Sequence, residues 1–300
     1  MDELVAPSHL QAQRLLQTIY EQDLVFLPAE GRLDRSEMNA FYADEHRVAG
    51  QVVRPTLERH VFAWLDDEVQ VTGPWTLDAF KSWSDTVMND NRMTTESGLM
   101  RFLSTSRKPR DVVRCFLVQC AGDFLTEASA MARNVLGNFG IAQSELFKIL
   151  IDEYGYGVHE KKHSTIFERL MHEAGLNSGL HHYWQFYTAS SMALTNYFHF
   201  ISCNHRHFFR YLGALFYTEA SLAFSTRLQS RAVKMAFGAE ADTLYFDEHA
   251  HIDLHHGRMA FERLIVPVVG RFGDEVLPDI VRGFEEFRLL QDVADRDLLA

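Results

Sequence analysis

From Pro109 to the C-terminus the apolar residues of this chain recur at helical spacing, while runs of strict alternation are short and scarce. Phe116, Cys120, Phe124, Glu127 and Met131 share one stripe. Leu212, Leu215, Phe216, Glu219, Leu222 and Ala223 share another, and Phe284, Phe287, Leu290 and Val293 mark one face of a last helix. Pro109 opens the pattern as a first-turn proline. Most of the seven prolines sit where helices should start or stop. The expected fold is all-α, a helical bundle over 109–300 with an N-terminal helical extension over 1–108. In that extension Ser36 to Val48 and Trp75 to Met88 are candidate helices, and Leu103 to Pro109 is the best connector.

Composition narrows what the bundle can do. With 47% hydrophobic residues in 300, a sizeable core is available. A net charge of −12 argues against nucleic acid as a partner. Met1-Asp2-Glu3-Leu4 lacks the basic start and apolar stretch of a signal peptide, and no apolar run is long enough to span a membrane. Three cysteines without a CxxC pair argue for a reducing compartment and against a thiolate metal site. The expected location is therefore cytoplasmic.

Two stripes carry a carboxylate, Glu127 and Glu219, where a charge is expensive without a cation, a proton or a metal. For either alone, an internal ion pair with Arg133 or Arg227 is the plainer reading. The segment Tyr245 to Leu264 shifts the balance. His249, Asp253 and His256 are spaced four and then three residues apart, which at about 100° per residue places them on one narrow arc. Phe246, Ile252 and Leu264 flank that arc and Ala260 lies inside it, so the strip points to the core. Two imidazoles and a carboxylate aimed together suit a first-row metal such as iron or manganese. Glu153 and His163 form a further candidate pair. On a regular helix they would stand about 80° apart, but the glycines of Asp152-Glu-Tyr-Gly-Tyr-Gly-Val158 can unwind it. Alternatively, those glycines end one helix and His163 belongs to the next.

A ferritin-like ligand pattern is also present in order: Glu127, Glu160-Lys-Lys-His163, Glu219 and Glu248-His-Ala-His251. The helical wheel argues against it, because Glu248, His251 and His255 share a polar arc with Arg258. Those residues, with Glu160, Lys161 and Lys162, read as a solvated face.

Glu127, Asp152-Glu153-Tyr-Gly-Tyr-Gly, His163-Ser164, Glu219 and His249-x3-Asp253-x2-His256 resemble the haem-oxygenase-like diiron oxidases and oxygenases, the iron-containing redox enzymes. The resemblance covers roughly residues 110 to 298. It implies a haem-oxygenase-like bundle holding two iron ions, with Glu153 and His163 as the Glu–His pair, Glu219 as the lone glutamate and His249, Asp253 and His256 as the final strip. Glu127 matches an additional carboxylate of the N-oxygenating members, to which the chain is nearest. The resemblance further implies O2 as co-substrate, one weakly held iron and a homodimer. With no flavin or nicotinamide motif in the chain, the electrons must come from an external donor. The expected reaction is N-oxygenation of a small amine or amino-acid-derived metabolite in specialised metabolism. The alternatives are oxidative decarboxylation or C–C cleavage by the same centre, and a metal-free thiaminase-like or binding protein of this fold. Tyr154, Tyr183, Trp184, Tyr187, Asn196, Tyr197, His199 and Tyr217 are candidates for the pocket wall.

Overall fold

The structure, a computed structural model, describes residues 7–26 and 35–300. Met1 to Leu4 and Pro28 lie outside the described residues. The N-terminal part comprises α1 (Pro7–Glu21), α2 (Arg35–Phe41), α3 (Asp44–Phe62), α4 (Trp64–Glu68), α5 (Leu77–Met93) and α6 (Gly98–Thr105). Then follow α7 (Pro109–Phe124), α8 (Ser129–Ala132), α9 (Ile141–Glu153), α10 (His163–Glu173), α11 (Ala189–Cys203) and α12 (Phe208–Phe237). The chain closes with α13 (Leu244–Met259), α14 (Val266–Phe272) and α15 (Leu277–Leu298). No strand occurs among the described residues, so the all-α expectation holds. Among the same residues no helix is long and apolar enough to cross a membrane.

Long α12 is the axis of the bundle, packed along α13 on one side and α15 on another. Tyr211, Leu212, Leu215 and Phe216 of α12 meet Ile280, Phe284 and Phe287 of α15 in the main apolar core. A second cluster forms where α6, α7 and α10 close over the start of α13 around Phe116, Phe167 and Phe246. Helices α5 and α6 pack on α12, and α1 packs on α3 and α11.

Three local expectations are corrected. Pro55 lies inside α3 and does not bound a helix. Ser36 to Val48 is two helices, broken at Tyr42 and Ala43, because Ala43 is extended at φ −60° and ψ 137°. The stripe ending at Glu127 is not one helix either. α7 stops at Phe124, and Ala128 takes a left-handed φ of 64° before α8 begins.

Candidate metal centre

Glu127 therefore stands on a short non-helical bridge between α7 and α8. Its carboxylate is held from α13, where the Tyr245 hydroxyl donates to both of its oxygens at 3.1 Å. The backbone carbonyl of Tyr245 also takes a hydrogen bond from Nδ1 of His249 at 2.7 Å, one helical turn on. That bond turns Nε2 of His249 toward Glu127, 2.8 Å away. Tyr245 thus fixes two candidate ligands at once, one through each end of the residue.

Glu153 is the last residue of α9 and His163 the first of α10. The plainer sequence reading was right about the helices, and the two side chains still meet. Gly155 explains how. Its φ of 59° is left-handed, and a Cβ there would lie 2.5 Å from the carbonyl carbon of Lys161. The loop folds back onto itself only because that Cβ is missing. It places Nδ1 of His163 2.6 Å from Oε2 of Glu153, yet out of hydrogen-bonding geometry.

On α12 and α13 the construction is regular helix. Gly257 lets the two come together, since a Cβ on it would sit 3.0 Å from Cα of Ala220. The residues just before these two, His256 and Glu219, then face each other at 3.2 Å. His249, Asp253 and His256 are all buried, while Glu248, His251, His255 and Arg258 are exposed, as the wheel predicts. Glu160 and Lys161 are exposed as well. Neither arginine offered as an ion-pair partner reaches its glutamate. Arg133 bonds His199 and the carbonyl of Tyr20, and Arg227 lies over the Phe224 ring.

All seven candidate ligands converge, in two groups. Glu127, Glu153, His163 and His249 have ligating atoms within 4.8 Å of one another, and so do Glu153, Glu219, Asp253 and His256. Glu153 belongs to both. Its Oε2 faces His163 and lies 4.0 Å from His249, while Oε1 lies 3.6 Å from Nδ1 of His256. One carboxylate oxygen therefore serves each pocket.

Electrostatics show whether a metal fits. Among the described residues both oxygens of Asp253 have no hydrogen-bond partner, although the residue is only 1% exposed. Burial pushes its carboxyl up to about 7, and burial likewise raises Glu219. Burial alone would raise Glu153 too, but His163, His249 and His256 hold it down to about 2. Burial opposes charge on His256, yet Asp253 and Glu219 raise it to about 12. His163 and His249 are raised as well, by Glu153 and Glu127 against the same burial. Three buried carboxylates and the half-buried Glu127 thus face three imidazoles whose charged form they favour. Two divalent cations would replace those protons with matching charge, and the all-oxygen and nitrogen donor set suits iron. Metal entry must displace protons, so the apparent affinity rises with pH.

Sequence reasoning passed over two neighbours. Asp152 accepts from Nε2 of His256 at 2.9 Å, which leaves Nδ1 for the pocket. Its position beside Glu153 was the available signal. Asp123 lines a cavity of about 90 Å³ with Glu127, Glu153, Glu219 and His249. It lies four residues before Glu127, near the end of α7, and burial pushes it up to about 7. Of the expected wall residues only His199 lines this cavity, and its other walls include Met131, Phe198, Leu215 and Leu222. Tyr154, Tyr183, Trp184, Tyr187, Asn196, Tyr197 and Tyr217 do not line it.

Comparison with known proteins gives the same direction. The chain is 50% identical to the nitrosourea synthase of Streptomyces achromogenes subsp. streptozoticus over 292 residues, covering 96% of this chain and 61% of that protein. It thus spans under two thirds of that relative's length. The model of the family described as iron-containing redox enzyme matches residues 114–292, more than half of the chain, and the chain belongs to that family.

Proposed function

We propose that this protein is a non-haem diiron oxygenase that places an oxygen atom from O2 on the nitrogen of a small amine or amino-acid-derived metabolite, in natural-product metabolism. The carrying observation is Glu153, which offers one oxygen to each of two ligand groups only a carboxylate apart. In this reading Glu127, Glu153, His163 and His249 hold one iron, and Glu153, Glu219, Asp253 and His256 hold the other. The irons would supply the reduction of O2. Per turnover, one oxygen atom goes to nitrogen and the other leaves as water, with two electrons and two protons from an external donor.

The chain's own residues position and exclude. Tyr245 steadies Glu127 and His249, and Asp152 steadies His256. Phe124, Met131, Phe198 and Leu222 give the cavity beside the ligands an apolar side, which would limit water there. The direction toward nitrogen draws on Glu127, present where the N-oxygenating members carry a carboxylate, and on the nitrosourea synthase relative. A metal-free protein of this fold would leave both oxygens of Asp253 buried without a partner.

The proposal includes a cytoplasmic homodimer joined through the 1–108 extension, in which Val48 and Val52 of α3 are 58% and 74% exposed one turn apart. The test is to load the protein anaerobically with Fe(II), count bound iron, and supply 18O2 with candidate amines. Two irons per chain and a product heavier by one 18O atom on nitrogen are expected. Loss of carbon dioxide from the substrate would move the assignment to C–C cleavage, and no iron uptake would end it.

A further inference from the structure

One polar side chain on the cavity wall has no role in holding a metal. His199, on α11, is 3% exposed and lines the same cavity as Glu127, Glu153 and Glu219. Its Nδ1 lies 2.7 Å from Nη1 of Arg133. A guanidinium has only hydrogens to give, so Nδ1 must be the bare acceptor. The neutral ring then carries its proton on Nε2. That N–H has no partner among the described residues. Burial, with Arg133 beside the ring, drives the imidazole down to about 3, which favours the neutral ring that the Arg133 contact already requires.

Arg133 itself is engaged only through neutral groups, His199 and the carbonyl of Tyr20. Among the described residues no carboxylate lies within ion-pair distance of it. Its other neighbours fix the pair in place: the Tyr20 ring stacks on His199 with centroids 5.2 Å apart. Behind the donor N–H there is thus a guanidinium with no carboxylate partner among the described residues. In the loaded protein four ligand carboxylates would balance two divalent ions; Asp123 also lines this wall, but burial raises its carboxyl to about 7, and Arg133 is the cation behind the wall.

We propose that His199, backed by Arg133, is the anion-recognition group of the substrate cavity, donating from Nε2–H to a carboxylate carried by the substrate. The proposal rests on the reading of this cavity as the substrate site of a two-metal centre. A carboxylate is the fitting partner because it takes a charge-assisted hydrogen bond, whereas a neutral amide gains little from the guanidinium behind the ring. The role is to position substrate, with no proton transferred.

The probe is acetate, with acetamide as its neutral counterpart, titrated into protein loaded with redox-inert zinc and followed through the acetate methyl resonance. Acetate should bind saturably and acetamide at least about tenfold more weakly. His199→Leu should weaken acetate about tenfold or more, while His199→Gln, which keeps an N–H donor, should retain most of the affinity. Nitrogen-15 spectra of the wild-type histidines test the same point without a variant. His199 should show the Nε2–H form with and without zinc, and its signal should move as acetate saturates. Two bound zincs with unchanged acetate affinity in His199→Leu would place acetate elsewhere and overturn the proposal. An Nδ1–H tautomer would overturn it too. Fewer than two zincs with acetate binding intact would count against the two-metal reading and leave the recognition group standing.

Discussion

The two ligand groups are built on opposite principles. Glu219, Asp253 and His256 stand on continuous helices, α12 and α13, brought together by the bare Gly257 against Ala220. Glu127, Glu153 and His163 stand where helices stop: a bridge ending in left-handed Ala128, the last residue of α9, and the first of α10. His249 is the one member of that first group set in mid-helix. One pocket is held by packing, the other by backbone breaks. The difference teaches that a helical-wheel argument finds a site only where the helix runs through it.

Glu153 is the joint between the two, so removing it should have the largest effect. Glu153→Ala takes an oxygen from each pocket and leaves His163, His249 and His256 facing fewer carboxylates. Metal titration should fall from two ions per chain to one or none, with affinity for any remaining ion down about 100-fold or more. Glu127→Ala, in contrast, should cost only one ion. If Glu153→Ala still binds two ions tightly, the carboxylate is not shared and the two pockets are independent.

That comparison also explains what could be read from the sequence. The all-α fold and the inward strip followed from regular spacing, because burial repeats with the turn of the helix. The exposed Glu248, His251 and His255 were separable from His249, Asp253 and His256 for the same reason. Glu153 and His163 were legible as a candidate pair, but the break between their helices was legible only as an alternative, since it depends on how Gly155 folds the loop. The end of α7 before Glu127 was not legible at all: Phe124-Leu-Thr-Glu127 contains no breaker, and tertiary contacts from Tyr245 favour the bridge. Aromatic residues are plentiful in this core, so the plainer reading of most wall candidates as core was the better one, and only His199 among them reaches the cavity.

Two glycine substitutions sharpen the contrast between packing and breaks. Gly257→Val forces a side chain against the α12 backbone at Ala220, and such overpacking costs about 1–3 kcal/mol. It should loosen the second pocket and lower the melting temperature. Gly155→Ala meets both a left-handed φ and the backbone of Lys161 and Lys162, so the loop must rearrange. It should separate Glu153 from His163 and weaken the first pocket. Each variant, scored by metal stoichiometry and thermal unfolding, should spare the pocket it does not support. Equal damage to both from either glycine would show that the pockets form one cooperative unit.

The smallest effect should come from Asp152, which accepts from Nε2 of His256 and lies beside Tyr156. Without it, His256 is free to exchange tautomers or rotate, and Nδ1 no longer faces Glu219 and Asp253 in a fixed state. Loss of such a partner typically costs 10- to 100-fold in metal affinity. Asp152→Leu should therefore weaken one ion by about tenfold and leave the other unchanged. Asp152→Asn keeps a carbonyl acceptor at the same place and should recover most of the loss. Tyr156 adds a second readout, because the Asp152 carboxylate beside its phenol raises it. In Asp152→Leu that phenol should return toward its ordinary range, measurable by ultraviolet titration. If metal affinity falls equally in both pockets, His256 is set by the shared carboxylate of Glu153, and the division into a packed pocket and a broken one fails at its most buried imidazole.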